Sequence, residues 1–292
     1  MITKNTLLEM LKYKRPEGTA TQKIFCERFL EPVFGYPDKF GNYIHTVYNE
    51  DGSHPNLCFT AHHDTVHKTE GLQKVIYDTV MGVAYTEGSN CLGADCTTGI
   101  WLILGMIECG VSGVYVVHAA EEVGCLGSGH LVSSSPDWLD KLDAVISFDR
   151  YGTKSVITHQ LGYRTASDEF AESFALALDL DLKPDPYGAY TDSNEYIERV
   201  LECTNISVGY YDQHTPKELQ DIVFAEDLLD ALVSADWSKL VFARELSEPF
   251  ENDVVDIIYN NPEEVAELLE SWGYTAEGLL EDIGYLKRIG DV

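Results

Sequence analysis

Five short acidic and histidine-bearing motifs occur in one order along the chain: Ala61-His62-His63-Asp64, Gly93-Ala94-Asp95, Glu121-Glu122, Phe148-Asp149 and Asp212-Gln213-His214. Imidazole and carboxylate are the donors that hold zinc-like ions with open coordination positions. Together the motifs contain enough donors for two neighbouring ions and one spare carboxylate for proton transfer. Two ions sharing a water point to hydrolysis, most often of an amide bond.

Each motif also has an ordinary reading when taken singly. An H-x-D triplet is common by chance, but residues i and i+2 of an extended segment project to one side. His62 is therefore expected as a ligand and Asp64 as the carboxylate that fixes its second ring nitrogen. His63 points the opposite way. Asp95 precedes a buried helix, where a carboxylate is already favoured as a cap; its two oxygens also suit it to bridge two cations. Glu121-Glu122 by itself would be surface charge. Leaving a strand, adjacent carboxylates diverge, so that Glu122 binds metal while Glu121 serves as general base and then acid. Asp149 alone is a strand-end residue and His214 alone a loop histidine. The expected sets are His62, Asp149 and Asp95 for one ion and His214, Glu122 and Asp95 for the other, with zinc foremost and cobalt or manganese as alternatives. His118, inside an apolar run, reads as a core residue.

These side chains must be carried by strands and helices. Strand-like runs are Tyr43–Tyr48, Leu57–Ala61, Val75–Tyr85, Gly113–Ala119, Leu142–Phe148, Ser155–Thr158 and Ile206–Tyr211. Helical stripes occur at Leu7, Leu8 and Leu11, at Ile24, Phe25, Phe29 and Leu30, and over Ile100–Cys109, Phe170–Leu178 and Ala225–Ala243. The alternation predicts a three-layer α/β/α sandwich around a mixed, mostly parallel sheet. The motifs fall where strands end, at the edge where α/β sheets form their sites. Residues 1–246 are expected to be the catalytic domain. Residues 247–292, with twelve acidic and two basic side chains, are expected to be a small helical appendage, carrying helix faces at Val265, Leu268, Leu269 and Trp272 and at Leu279, Leu280, Ile283 and Leu286.

Composition narrows the setting. Twenty Lys and Arg against forty-nine Asp and Glu give a formal charge of −29, which disfavours nucleic acid and anionic membranes as partners. The same charge would attract a cationic amino terminus, or simply serve solubility. No apolar run is long enough to span a bilayer, and the first residues do not form an export segment. The seven cysteines include no C-x-x-C pair and suit a reducing cytoplasm.

The ordered motifs resemble those of the di-zinc exopeptidases, the group with aminopeptidases, glutamate carboxypeptidase, peptidase T and aminoacylases. The matching residues are Ala61-His62-His63-Asp64-Thr65, Leu92-Gly93-Ala94-Asp95, Glu121-Glu122-Val123-Gly124-Cys125-Leu126-Gly127-Ser128, Asp149, and His214 with Glu218 after it. The resemblance implies a zinc-exopeptidase fold and a short peptide or amino-acid amide as substrate. The short intervals from Asp64 to Asp95 and from Asp149 to His214, with Thr191-Asp192-Ser193 between the latter, place it with the aminopeptidases that lack a lid or inserted domain. Two departures stand out. Thr97-Thr98 replaces the small polar residues usual after the bridging Asp. Gln213 stands where some relatives carry an oxyanion-steadying Tyr; Tyr190, Tyr210 and Tyr211 are candidates for that role, and Asp192 and Glu195 for gripping an amino terminus. A carboxypeptidase or N-acyl amino-acid deacylase is the rival enzyme, for which Arg150 and Arg164 are the basic residues near the motifs. A glutaminyl cyclase-like transferase, a degenerate peptidase used as a binding module, and a serine hydrolase are disfavoured: both ligand sets are intact, and Gly127-Ser128-Gly129 is not the G-x-S-x-G pattern.

Overall fold

The computed structural model describes residues 2–88 and 90–246, and beyond them only Val265, Ala266, Leu269 and Thr275. Residues 1–246 form one compact unit. The helix faces expected in 247–292 lie almost wholly outside the described residues.

Seven strands form the main sheet, in the spatial order Lys183–Asp185, Ser155–Ile157, Glu202–Ser207, Ala144–Arg150, Leu57–His62, Gly113–His118, Tyr43–Val47. The four strands from Glu202–Ser207 to Gly113–His118 are mutually parallel. Tyr43–Val47 runs antiparallel at one edge, and the pair Ser155–Ile157 and Lys183–Asp185 runs antiparallel to the centre at the other. The sheet is therefore mixed with a parallel core, as the alternation of elements predicts.

Continuous apolar strands indicate burial on both faces, and the two sides of the sheet divide them cleanly. Phe59, Ala61, Tyr115, Val117, Ile146 and Phe148 belong to a large core shared with helices Ala20–Phe29, Ala94–Glu108, Asp168–Leu178 and Ile222–Ser234. Cys58, Val114, Val116, Val145 and Cys203 pack on the other side with Leu131, Leu139 and Tyr196. Because all four central strands point one way, their carboxyl ends bring residues 62, 118, 150 and 207 to one edge.

Several expectations are corrected. Val75–Tyr85 is a hairpin of Val75–Asp78 and Val83–Thr86, not one strand; Asp78 accepts the N–H groups of Val80 and Met81 and so closes the turn. The last central strand is Glu202–Ser207 rather than Ile206–Tyr211, its polar residues being buried and hydrogen-bonded. The long helix Ala225–Ala243 is Ile222–Ser234, because Asp236 starts a separate turn by accepting from the Ser238 N–H. Leu126–Ser133, for which the sequence carries no helical stripe, is a helix. Its Gly127 is required by contact: a Cβ there would lie 2.3 Å from the Ala119 carbonyl oxygen.

Candidate active site

His62 ends the central strand, fully buried, with its Nε2 3.2 Å from Asp95 Oδ1 and 3.5 Å from Asp149 Oδ1. His214 Nε2 lies 3.0 Å from Asp95 Oδ2 and 3.4 Å from Glu122 Oε1. Asp95 thus turns one oxygen to each imidazole, and each imidazole has a second carboxylate beside it. Donors held 2.0–2.2 Å from a tetrahedral zinc lie about 3.3–3.6 Å apart, close to these spacings. Glu122 Oε1 and Asp149 Oδ1 are buried without hydrogen-bond partners, as donors aimed at a cation would be.

The residues around the donors explain their aim. Asp149 Oδ2 accepts from the Thr191 hydroxyl at 2.9 Å, leaving Oδ1 free. Asn205 clamps the Asp149 backbone in both directions, at 2.9 and 2.8 Å. Asp64 does more than face His62. Its Oδ1 is 3.4 Å from His62 Nδ1, which also contacts the Asp64 carbonyl at 3.2 Å. Its two carboxylate oxygens also accept the N–H groups of Glu121 and Glu122 at 3.1 and 3.0 Å. One carboxylate therefore sets both the histidine and the acidic pair.

Asp95 sits at the distorted start of the Ala94–Glu108 helix, where Asp95 and Cys96 leave helical geometry and their peptide bond is cis. The carboxylate of Glu218 gathers the four N–H groups of the preceding turn, Leu92 to Asp95. His63 points away, with Nδ1 3.0 Å from Gln22 Nε2 and Nε2 3.2 Å from the Gly41 carbonyl oxygen. His118 is buried between Asn42 and the Tyr196 hydroxyl, as a core residue.

The electrostatics are those of a site short of positive charge. Burial pushes the Asp149 carboxyl well above its ordinary range, and the neighbouring Asp95 adds to this. Burial also raises Glu122, partly offset by His214. Burial pushes Glu121 up to about 8; His62 opposes this, and Asp149, Asp95 and Glu122 reinforce it. Burial opposes charge on His62, but the Glu121 and Asp149 carboxylates pull it well above the usual imidazole value. Asp95 and Glu122 bring His214 up to about 11. Divalent cations would relieve the repulsion among Asp95, Glu121, Glu122 and Asp149, so the donor set fits such ions.

All five sequence-predicted donors and Glu121 converge. Three supporting residues escaped the motif reading: Asn205, Glu218 as an anchor of the Asp95 turn, and Arg15. The buried Arg15 guanidinium donates to the His63 carbonyl at 3.0 Å and to the Thr97 hydroxyl at 2.9 Å. Buried polar residues of this kind leave no periodic signal. Of the tyrosine candidates, Tyr210 gives its hydroxyl to the Asp149 carbonyl, and Tyr190 lines the pocket with its hydroxyl on Glu195. Tyr211 turns its hydroxyl toward Thr153. Asp192 is buried against the Ser128 hydroxyl at 2.6 Å.

Comparison with known proteins agrees with this geometry. Residues 42–217 match the model of Peptidase family M28. No curated protein matches the sequence. Among solved structures, the aminopeptidase PepT of Bacillus cereus superposes with a TM-score of 0.65 at 14% identity, covering 80% of this chain and 98% of that one. A tripeptidase of Staphylococcus aureus gives 0.63 at 16%, covering 80% and 98%. An aminopeptidase of the archaeon Desulfurococcus kamchatkensis gives 0.61 at 14%, covering 86% and 99%. At these identities the superpositions establish a shared fold, while the family match spans more than half of the chain and carries every donor described above. The chain belongs to peptidase family M28 and is a metal-dependent exopeptidase of the aminopeptidase-like fold.

Proposed function

We propose that this protein is an aminopeptidase that releases amino-terminal residues from short peptides or amino-acid amides, working with two divalent ions, zinc foremost. The observation that carries the reading is Asp95, whose two oxygens face separate histidine–carboxylate pairs. His62 and Asp149 would hold one ion, His214 and Glu122 the other, and Asp95 both; cobalt or manganese would also suit these donors. When bound, such ions polarise the scissile carbonyl and make water more acidic.

Glu121 is the residue placed to move the proton. Its Oε2 is 3.9 Å from His62 Nε2, at the rim of the donor cluster, where a carboxylate is placed to take a proton from the attacking water and return it to the leaving amine. Asp64 acts as a positioning residue for His62 and for the Glu121-Glu122 backbone. The solved structures of similar fold include ones named as aminopeptidases and a tripeptidase, which supports the choice of the amino end. The catalytic domain would end near Leu246. All seven cysteines are free, which fits a reducing cytoplasm, and among the described residues no helix is long and apolar enough to cross a membrane.

The test is Glu121→Gln together with a panel of free and amino-blocked dipeptides. The variant should keep its metal and lose turnover by about 10²-fold or more, and the parent enzyme should cleave only peptides with a free amino end. Normal turnover by Glu121→Gln, or cleavage of blocked peptides alone, would overturn the reading.

A further inference from the structure

The pocket over the donors also contains a guanidinium for which the metal chemistry has no use. Arg150 follows Asp149 directly, and regular strand alternation would send the two side chains to opposite faces. The pairing of Ala144–Arg150 with Glu202–Ser207 breaks the alternation: Ser147 faces Asn205, but Arg150 faces Ser207, so one extra residue is taken up on the first strand. Such a bulge re-aims side chains. Both Asp149 and Arg150 consequently line the same pocket, and Arg150 is the only Lys or Arg among its described lining residues.

Arg150 is 8% exposed. Its guanidinium carbon Cζ lies over the Tyr151 ring, 4.1 Å from the centroid. Its hydrogen bonds run through Nη2, to the Tyr187 carbonyl at 2.9 Å, to Asp185 Oδ2 at 3.3 Å and to the Tyr151 hydroxyl at 3.3 Å. Its Nε is buried with no partner. Asp185 balances it loosely, because that carboxylate also accepts from the Ser155 hydroxyl at 2.7 Å and the Tyr187 N–H at 2.9 Å. A buried donor on a charged group is costly unless something complements it, and a guanidinium fixed on one nitrogen is preorganised for a planar anion.

We propose that Arg150 receives a carboxylate of the substrate and so sets specificity. The proposal rests on the aminopeptidase reading and names its substrate class: peptides carrying a carboxylate close to the scissile bond. That carboxylate has two possible sources, the side chain of an acidic amino-terminal residue or the free carboxyl terminus of a dipeptide.

Two substrate pairs separate the sources on the zinc-loaded enzyme: the p-nitroanilides of glutamate and glutamine, and Ala-Ala against Ala-Ala-amide. The parent enzyme should favour the charged member of one pair. Arg150→Gln should lower kcat/KM for that substrate about 10- to 100-fold, mainly through KM, and change its neutral partner less than about threefold. Arg150→Lys should restore part of the preference. The same four compounds titrated calorimetrically into the Glu121→Gln protein read the contact without turnover. Carboxylate-dependent binding by a protein that hydrolyses none of them would support the Arg150 contact while defeating the aminopeptidase reading. No preference in either pair, or an equal fall on charged and neutral substrates in Arg150→Gln, would overturn the proposal and leave Arg150 as a tie to the Lys183–Asp185 strand.

Discussion

Glu218 holds Asp95 through the backbone and not through its carboxylate. Glu218 Oε1 accepts the N–H groups of Ala94 and Asp95 at 2.7 and 3.4 Å, and Oε2 those of Leu92 and Gly93 at 2.8 and 3.1 Å. The turn tolerates little else. Gly93 has a positive φ of 73°, and a Cβ there would come within 2.6 Å of the His67 ring. The residue proposed to bridge two cations is thus aimed by an acidic residue that touches neither.

Glu218→Ala should therefore weaken metal binding although it removes no donor. Four buried amides would lose their acceptor, and the bridging carboxylate its aim. We expect zinc affinity to fall about 10- to 100-fold and stability to fall by about 3 kcal/mol. Competition with a chromophoric chelator, read beside a urea melt, checks both. Unchanged zinc affinity would separate Glu218 from the metal centre.

Asp95→Asn and Asp149→Asn should differ in stoichiometry. An amide offers one neutral oxygen, so a bridge is lost in the first variant and a single terminal contact in the second. Mass spectrometry under native conditions should find both ions depleted in Asp95→Asn and mainly one in Asp149→Asn. Two ions retained by Asp95→Asn would show that they do not share this carboxylate.

His67 gives the protein an acid-sensitive element away from the donors. Burial, reinforced by Arg15, lowers its pKa to about 4, against about 6.5 for an unfolded imidazole. Between these values the unfolded chain binds more protons, so His67 makes stability fall as pH drops from about 6.5 to about 4. Above pH 6.5 it contributes no slope. His67→Gln should flatten the pH dependence of the urea midpoint across that window, and an unaltered slope would assign it to other groups.

Glu202 predicts a structural loss distant from the pocket. Its buried carboxylate accepts the Ser167 N–H and hydroxyl at 2.6 and 2.8 Å, and the N–H groups of Ala243 and Arg244 at 2.8 and 2.9 Å. It joins the start of the Asp168–Leu178 helix to the segment after Leu240. Glu202→Ala should cost about 3 kcal/mol, measured as a shift in urea midpoint, whereas Glu202→Gln should cost less because one acceptor oxygen remains.

Two central strands were legible from their apolar runs, and the residues that converge in the pocket from the order of five motifs, each ordinary when taken singly. Leu57–His62 and Gly113–His118 are largely apolar runs that each end at a histidine. The failures occur where polar side chains are buried by tertiary structure. Glu202, Thr204 and Asn205 make the first half of a central strand look like a loop, although each is buried. The Leu126–Ser133 helix is rich in glycine and serine and has hardly any apolar stripe. Apolar residues such as Leu240 continue past Ser234 and pack on the core without being helical, which is why that helix read too long. Arg15 gave no pattern, and Glu218 no sign of its anchoring part, because the groups each one holds are distant in sequence.

The proposed donors come from five separate segments: His62 and Asp149 from two central strands, Asp95 from the start of a helix, and Glu122 and His214 from loops. No fragment shorter than 62–214 contains the set, so capture of both ions requires the tertiary structure that gathers these segments. A chelator should accordingly lower the melting temperature of the unit as a single cooperative transition, and a proteolytic piece ending before His214 should capture at most one ion.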